Sequence, residues 1–128
     1  MIYLPTPDQV MEFHARILAA TGGADGLRSR ALLESAVARA QAGFGGEELF
    51  PSLADKAAAI GCGLIQNHPF VDGNKRIGVA VLLLVLRING LTLRFTQAEL
   101  VELGLSIASG DRDVPDVAAW IRMHTPPI

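Results

Sequence analysis

The sequence predicts an all-α fold, a single domain over residues 1–128 in which about six helices pack around one buried central helix. Half of the 128 residues are hydrophobic but only 5% are aromatic, so aliphatic side chains and alanine must fill the core. Such side chains favour close helix packing over a β-sandwich, which uses more aromatic and β-branched residues. Hydroxyl or acidic caps precede most of the apolar stretches, and glycines follow several of them.

The first two helices are predicted from caps and apolar spacing. Thr6-Pro7-Asp8 combines a hydroxyl cap, a first-turn proline and an early acid. The apolar residues that follow recur at helical spacing: Val10, Phe13, Ile17 and Leu18. Glycines at 22 and 23 end this helix. A second helix begins near Ser29 and continues to about Ala40, before a glycine-rich loop that runs to Pro51.

The third and fourth helices contain most of the predicted core. Ser52 and Asp55 have capping-box spacing, so a helix should start there and run to about residue 67. The fourth helix covers residues 74–88 and ends at Asn89-Gly90. Because it is apolar nearly all round, we expect it to be the central helix.

The end of the chain is predicted to add two more helices. Residues 91–95 alternate in polarity and fit a short extended piece. Thr96 and Glu99 form another capping box, which opens a helix to about Ala108. A last helix covers roughly Pro115 to His124.

The composition argues against several classes of protein. A net charge of −2 disfavours a general nucleic-acid binder and gives no attraction to an acidic membrane. The N-terminus has no signal-peptide pattern, and the apolar run 77–86 is far shorter than the about 20 residues that span a bilayer. The lone Cys62 cannot form an internal disulfide. We therefore expect a cytoplasmic protein without a nucleic-acid or membrane partner.

The segment 68–76, His-Pro-Phe-Val-Asp-Gly-Asn-Lys-Arg, places polar residues between the two most apolar helices. Gly73 and Asn74 open a helix, whose first N–H groups lack partners and whose dipole adds positive charge. Lys75 and Arg76 oppose that dipole, which makes sense if an anion completes the site. Phosphate is the expected anion, because helix N-termini bind it through N–H groups.

Two further residues extend this hypothesis to phosphoryl transfer. Asp72 would lie beside the phosphate, where Mg²⁺ binds through a carboxylate and nucleotide phosphates. His68 lies across the turn, where a neutral imidazole can take a proton from an attacking hydroxyl. A nucleotide phosphate together with Mg²⁺ is therefore the predicted ligand.

Each of these residues alone has a plainer interpretation. Asp72 equally fits a helix cap, and a lone histidine such as His68 is more often structural than catalytic. Phe70 is expected to pack in the core. We expect His14 and His124 to be isolated residues at the surface or the core edge. The opposed charges of the segment nevertheless favour one common explanation.

The segment resembles the signature of the Fic/Doc superfamily, H-[P or x]-F-x-[D/E]-[G/A]-N-[G/K]-R. Three further stretches are similar to the death-on-curing, or Doc-type, toxin branch: Gly26-Leu27-Arg28 with residues 32–36 after it, Phe44-Gly45-Gly46, and Leu49-Phe50-Pro51. Lys75 stands where AMP-transferring Fic enzymes usually have glycine. Val79 stands where they have a second arginine. Both features favour the Doc branch.

The resemblance implies an enzyme of a toxin–antitoxin system that transfers the γ-phosphate of ATP to a protein hydroxyl. In Doc-type enzymes the target is a threonine of translation elongation factor Tu, and the modification halts translation. Carried over, His68 would be the general base and Asp72 the Mg²⁺ ligand, and the phosphates would be held by Gly73, Asn74, Lys75 and Arg76. The expected partner is a Phd-like antitoxin whose C-terminal segment lies in a groove of the toxin. Two alternatives remain open: an AMP transferase with the same base, and a non-catalytic module that only binds its antitoxin.

Overall fold

The computed structural model describes residues 1–127, and six α-helices follow one another in that range. They are α1 (Pro7–Thr21), α2 (Arg30–Ala38), α3 (Leu53–Asn67), α4 (Asn74–Ile88), α5 (Gln97–Ser109) and α6 (Val114–Met123). A 3-10 turn at Arg39–Gln41 extends α2. The all-α prediction is confirmed, and the predicted helix ends agree with the observed ones to within two residues.

Side-chain caps fix where four of the helices begin. Thr6, Ser52, Thr96 and Asp113 each accept a hydrogen bond from the backbone N–H three residues later, at 3.1 to 3.2 Å. In each case the side chain of that later residue bonds back to the cap, which completes a capping box. The first three caps were predicted from the sequence.

The central helix is α3, and the prediction that α4 is central is wrong. Residues 56–65 of α3 are all buried, and α3 packs against α2, α4, α5 and α6. Small side chains explain this position, because they let neighbouring helices approach the backbone closely. A Cβ on Gly61 would lie 3.1 Å from the carbonyl oxygen of Gly78, and one on Gly63 would lie 3.1 Å from Cα of Ala36.

The apolar run 77–86 belongs to α4 and packs against α3. Its inward face is buried at Ile77, Val81, Leu82 and Val85. Within residues 1–127, no helix combines the length and hydropathy needed to cross a membrane.

A small antiparallel hairpin follows α2, in a stretch predicted as a loop. Its strands are β1 (Gly43–Phe44) and β2 (Glu47–Glu48). The buried Lys56 of α3 holds it in place, because Nζ donates to the Ala40 carbonyl at 3.1 Å and to Glu48 at 2.8 Å. Residues 91–95 lie outside any strand of the described chain.

Candidate active site

The segment 68–76 forms the connection between the end of α3 and the start of α4. His68 ends α3 in the left-handed region, with φ 52° and ψ 54°. Among residues 1–127 it is the one non-glycine residue with positive φ, a conformation that concentrates at functional sites. Gly73 precedes α4 with φ 77°, so the chain turns sharply at both ends of the connection. We call residues 68–73 the active loop.

Asn74 holds the active loop together from inside. Its Oδ1 accepts from the N–H of Phe70 at 3.0 Å, and its Nδ2 donates to the Phe70 carbonyl at 3.0 Å. These two bonds fix the orientation of the amide, so the second hydrogen of Nδ2 points to Nδ1 of His68, 2.8 Å away. Neutral His68 then carries its own hydrogen on Nε2. Both hydrogens of the Asn74 side-chain amide are thus engaged within the protein. Only the backbone N–H of Asn74 could therefore make the predicted contact with phosphate.

Asp72 is held as a carboxylate at the mouth of the site. Its Oδ1 accepts from the N–H of Gly73 at 2.8 Å and its Oδ2 from the N–H of Ala24 at 3.2 Å. These hydrogen bonds, first the one from Ala24, lower the pKa of Asp72, and the nearby Arg76 acts in the same direction. The carboxyl therefore bonds to its own neighbour and to a distant segment, not to the first turn of α4 as a helix cap would.

The two cations of the first turn of α4 have different surroundings. Arg76 donates through Nη1 to Oγ1 of Thr21 at 2.7 Å and to the carbonyl of Gly22 at 2.6 Å. Its Nη2 lies 3.8 Å from Oδ2 of Asp72. Lys75 is exposed and makes no side-chain hydrogen bond or ion pair within residues 1–127. The protein itself therefore partners Arg76, whereas Lys75 is available to a ligand.

A cavity of about 360 Å³ brings the predicted site residues together. Its lining consists of His68, Val71, Asp72, Gly73, Asn74, Lys75 and Arg76. All six residues predicted for catalysis, phosphate and metal are in this set. The described chain contains no cluster of three or more acidic, histidine or cysteine side chains suited to a metal. Among the described residues, Asp72 is the one acidic side chain in the lining of this cavity.

His14 belongs to the surroundings of the site, and the prediction of an isolated residue is wrong. Its side chain is buried and stacks on Phe70, with ring centroids 3.7 Å apart and an angle of 9° between the two ring planes. Its Nε2 donates to the carbonyl of Asp72 at 2.8 Å. The spacing of Val10, His14 and Leu18, four residues apart on one buried face, is the sequence signal that could have placed it there.

The segment between α1 and α2, residues 22–29, was noted in the sequence only for its helix-ending glycines and its family resemblance, not as a neighbour of the site. We call it the α1–α2 segment. Gly23 adopts φ 120°, and a Cβ there would lie 2.7 Å from Oδ2 of Asp72 and 2.9 Å from Nη2 of Arg76. Glycine is required at this position because the segment passes directly beside the carboxylate.

His124 is likewise not isolated, although it lies away from the site. Its ring stacks on Trp120 with centroids 4.0 Å apart. Its Nδ1 faces the Trp120 carbonyl at 2.8 Å, and its Nε2 faces Oε2 of Glu99 at 2.9 Å. The bond to Glu99 raises the pKa of His124. This histidine therefore joins α5 to the end of α6.

A second, larger cavity of about 460 Å³ lies beside the site as a groove between α1, α4 and α5. Most of its wall is apolar, and the exposed side chains of Val101 and Leu105 form one edge. Lys75 and Arg76 line both this groove and the smaller cavity. Whatever fills the groove is therefore in reach of the cations at the start of α4.

Comparison with known proteins agrees with these features. The family described as the Fic/DOC family matches residues 4–86. The chain is 41% identical over 102 residues to a protein named Toxin Doc from Mycolicibacterium smegmatis, covering 78% of each chain. It is 30% identical over 117 residues to a protein named Protein kinase doc from Escherichia phage P1, covering 91% of each chain. The resemblance inferred from the sequence is confirmed.

Proposed function

We propose that this chain, which belongs to the Fic/DOC family, is a toxin of a toxin–antitoxin pair that transfers the γ-phosphate of ATP to a hydroxyl of a protein. One observation carries the proposal: His68, Asp72, Lys75 and the start of α4 line a single cavity. The names of the two relatives, a toxin and a protein kinase, point to the same class of activity.

The first turn of α4 would hold the phosphates of ATP. The backbone N–H of Asn74 lies at the positive end of the helix dipole, whereas the N–H of Gly73 would reach a phosphate only if its bond to Asp72 opens. Lys75 adds a free ammonium group, and Arg76 adds guanidinium donors not engaged with α1. The lowered pKa of Asp72 keeps it ionised and therefore suited to Mg²⁺. Asp72 would hold the metal ion, which would supply positive charge to offset that of the phosphates.

His68 would take the proton of the attacking hydroxyl. Proton acceptance requires a ring nitrogen that faces the hydroxyl without a hydrogen of its own. In the observed arrangement Nδ1 is free of hydrogen but accepts from Asn74 at 2.8 Å. Release of that bond lets the ring turn Nδ1 toward the substrate, so the active form of His68 differs from the resting one in this contact. Because phosphoryl transfer depends mainly on positioning and charge, a modest reorientation of the base is compatible with catalysis.

We propose translation elongation factor Tu as the target, as the resemblance to Doc-type toxins implies. Lys75 and Val79 are the residues that favour phosphate transfer over AMP transfer. Lys75 crowds the anion pocket with its side chain, and Val79 offers no charge to a further phosphate. ATP would then present its γ-phosphate to the acceptor.

The partner would be a Phd-like antitoxin, with a segment lying in the groove between α1, α4 and α5. The apolar wall of the groove suits the apolar face of a helix or an extended segment. We also propose that residues 1–128 form one domain, since side chains of α5 and α6 share a single core with those of α3 and α4. Leu105→Lys should weaken neutralisation by a co-expressed antitoxin, because it places a charge in the apolar wall of the groove.

The test is a reaction of the purified protein with elongation factor Tu and ATP–Mg²⁺, read by intact mass. We expect the mass of one phosphate to be added, and His68→Ala to abolish the addition. His124→Ala removes a histidine outside the cavity and should retain it. Addition of AMP instead would assign the chain to the AMP transferases. An unmodified target, together with growth inhibition that survives His68→Ala, would indicate a non-catalytic module.

A further inference from the structure

The α1–α2 segment runs alongside the active loop and bonds to it through the backbone. Val71 donates to the carbonyl of Gly26 at 3.0 Å. Arg28 and Ser29 both donate to the carbonyl of Pro69, at 2.7 and 3.0 Å. The active loop is therefore supported along its length by a segment that does not itself line the cavity.

The side chain of Arg28 supports the His68 end of the loop. Its Nε donates to the carbonyl of His68 at 2.7 Å, and its Nη2 donates to the carbonyl of Asn67 at 3.0 Å. These carbonyls belong to the last turn of α3, where backbone oxygens lack helical partners. The planar guanidinium satisfies both at once, a geometry that lysine cannot reproduce. It thereby holds the backbone of His68 in its left-handed conformation, which fixes where the ring starts from, whether the ring bonds to Asn74 or turns toward the substrate.

The side chain of His14 supports the opposite end. Its ring stacks flat on Phe70, and its Nε2 donates to the carbonyl of Asp72. The peptide that carries this carbonyl also carries the N–H of Gly73, directly before α4. His14 therefore orients the peptide directly before α4, and with it the carboxylate of Asp72 and the first N–H groups of the helix.

We propose that Arg28 and His14 are positioning residues that act on different halves of the reaction. Arg28 orients His68, and thus proton transfer, whereas His14 orients Asp72 and the start of α4, and thus nucleotide binding. This inference rests on the proposed kinase function, since it assigns parts to the same site. It predicts that substitutions at the two positions separate kcat from the KM for ATP.

Arg28→Lys keeps the charge but loses the two-carbonyl contact. We expect kcat to fall about 10–100-fold, the usual effect of removing a partner that orients a site residue, with the KM for ATP unchanged. His14→Phe keeps the stacking on Phe70 but loses the bond to the Asp72 carbonyl. We expect the KM for ATP to rise about 10-fold, with kcat at saturating ATP close to that of the wild type.

Each variant has a matched control elsewhere in the chain. Arg30→Lys alters an arginine that bonds to Asp8 on the outer surface, without contact to the active loop. His124→Phe removes a histidine stacked on Trp120. Both controls should leave kcat and KM unchanged. Melting temperatures of all four variants show whether a loss of activity follows a loss of folding.

Two measurements on the protein alone separate this inference from the proposed function. Calorimetric titration with ATP–Mg²⁺ gives nucleotide affinity, which should fall in His14→Phe and not in Arg28→Lys. NMR of the imidazole groups reports on His68, whose signals should move in Arg28→Lys and not in His14→Phe. The chain has three histidines, so single substitutions assign the signals.

The outcomes are distinct. If no target is phosphorylated but the affinity and the His68 signals change as expected, the kinase function fails and the positioning inference stands. If both variants change affinity and His68 signals together, or neither changes either, the division of roles is refuted. A wild-type protein that does not bind ATP–Mg²⁺ would also refute it, because His14 would then orient no nucleotide site.

Discussion

Replacing Gly78 with alanine should push α3 and α4 apart where Gly78 faces Gly61. A Cβ at this position would collide with Cγ1 of Ile65 and lie 2.9 Å from the carbonyl oxygen of Gly61. Both neighbours belong to α3, and the backbone oxygen of Gly61 cannot move without displacing the helix. Because α3 leads to His68 and α4 begins at Asn74, the displacement also reaches the active loop.

The magnitude follows from two opposing effects. Forcing a methyl group into a packed core costs about 1–3 kcal/mol. Glycine in a helix interior is less stable than alanine by about 0.5–1 kcal/mol, so part of the cost is recovered. We expect Gly78→Ala to lower the free energy of unfolding by about 1–2 kcal/mol, and for a domain of this size to lower Tm by about 4–8 °C.

Urea unfolding and thermal melting provide the assay, with Gly104→Ala as control. A Cβ on Gly104 would meet Cγ2 of Val79 at 3.3 Å, a side-chain contact that can relax. A double variant with Ile65→Ala tests the cause, because shortening Ile65 removes the colliding atom. The double variant should lose less stability than the sum of the two single losses. A Gly78→Ala protein as stable as the wild type, or purely additive losses, would refute the close-packing argument.

Three further predictions concern single contacts. The hydrogen bond between His124 and Glu99 raises the pKa of His124 above 6.5 and, together with hydrogen bonds from Thr96, lowers that of Glu99 from 4.5 to about 2. The contribution of His124 to stability should be full below pH 6.5 and lost as the pH rises through its raised pKa. The contribution of Glu99 should be lost as the pH falls from 4.5 toward 2. The difference in Tm between the wild type and His124→Phe should therefore be largest between about pH 4.5 and 6.5. Lys75→Gly should slow phosphate transfer and allow some AMP transfer, read by intact mass; unchanged products would show that Lys75 does not orient the nucleotide. Lys56→Met should cost about 1–3 kcal/mol in urea unfolding because the Ala40 carbonyl loses its partner, and an unchanged midpoint would contradict this.

Local signals in the sequence predicted the helices well because those signals act locally in the structure. The capping boxes at Thr6, Ser52 and Thr96 form between residues three apart, so their geometry needs no tertiary information. The sequence was a poorer guide to which helix is the most buried. Hydrophobicity favoured α4 as the central helix, but the alanines and glycines of α3 place it there, because small side chains let neighbouring helices approach. Mean hydropathy does not report how closely two backbones can pack.

The site shows the same division between local and distant information. Residues 68–76 are contiguous, and the predicted members of the site fall in one cavity because the chain turns at His68 and Gly73. The supports at His14 and Arg28 come from other parts of the chain. His14 carries a weak signal in its helical spacing with buried neighbours. Arg28 is marked only by the family resemblance of Gly26-Leu27-Arg28, and its supporting role could not be read from the sequence because its two acceptors are backbone carbonyls of distant residues.

Arg76 changes how the charge at the start of α4 should be interpreted. The sequence argument was that cations there oppose the helix dipole and need an anion. The structure supplies another partner, since Nη1 of Arg76 donates both hydrogens to the end of α1, at Thr21 and Gly22. A guanidinium has five N–H donors, so Nε and Nη2 stay available to a phosphate without release of α1. Arg76 can therefore bind the ligand and anchor α1 at once, whereas the exposed ammonium of Lys75 has no such second role. The need for an anion thus rests mainly on Lys75, which makes it the more informative residue to substitute when nucleotide binding is measured.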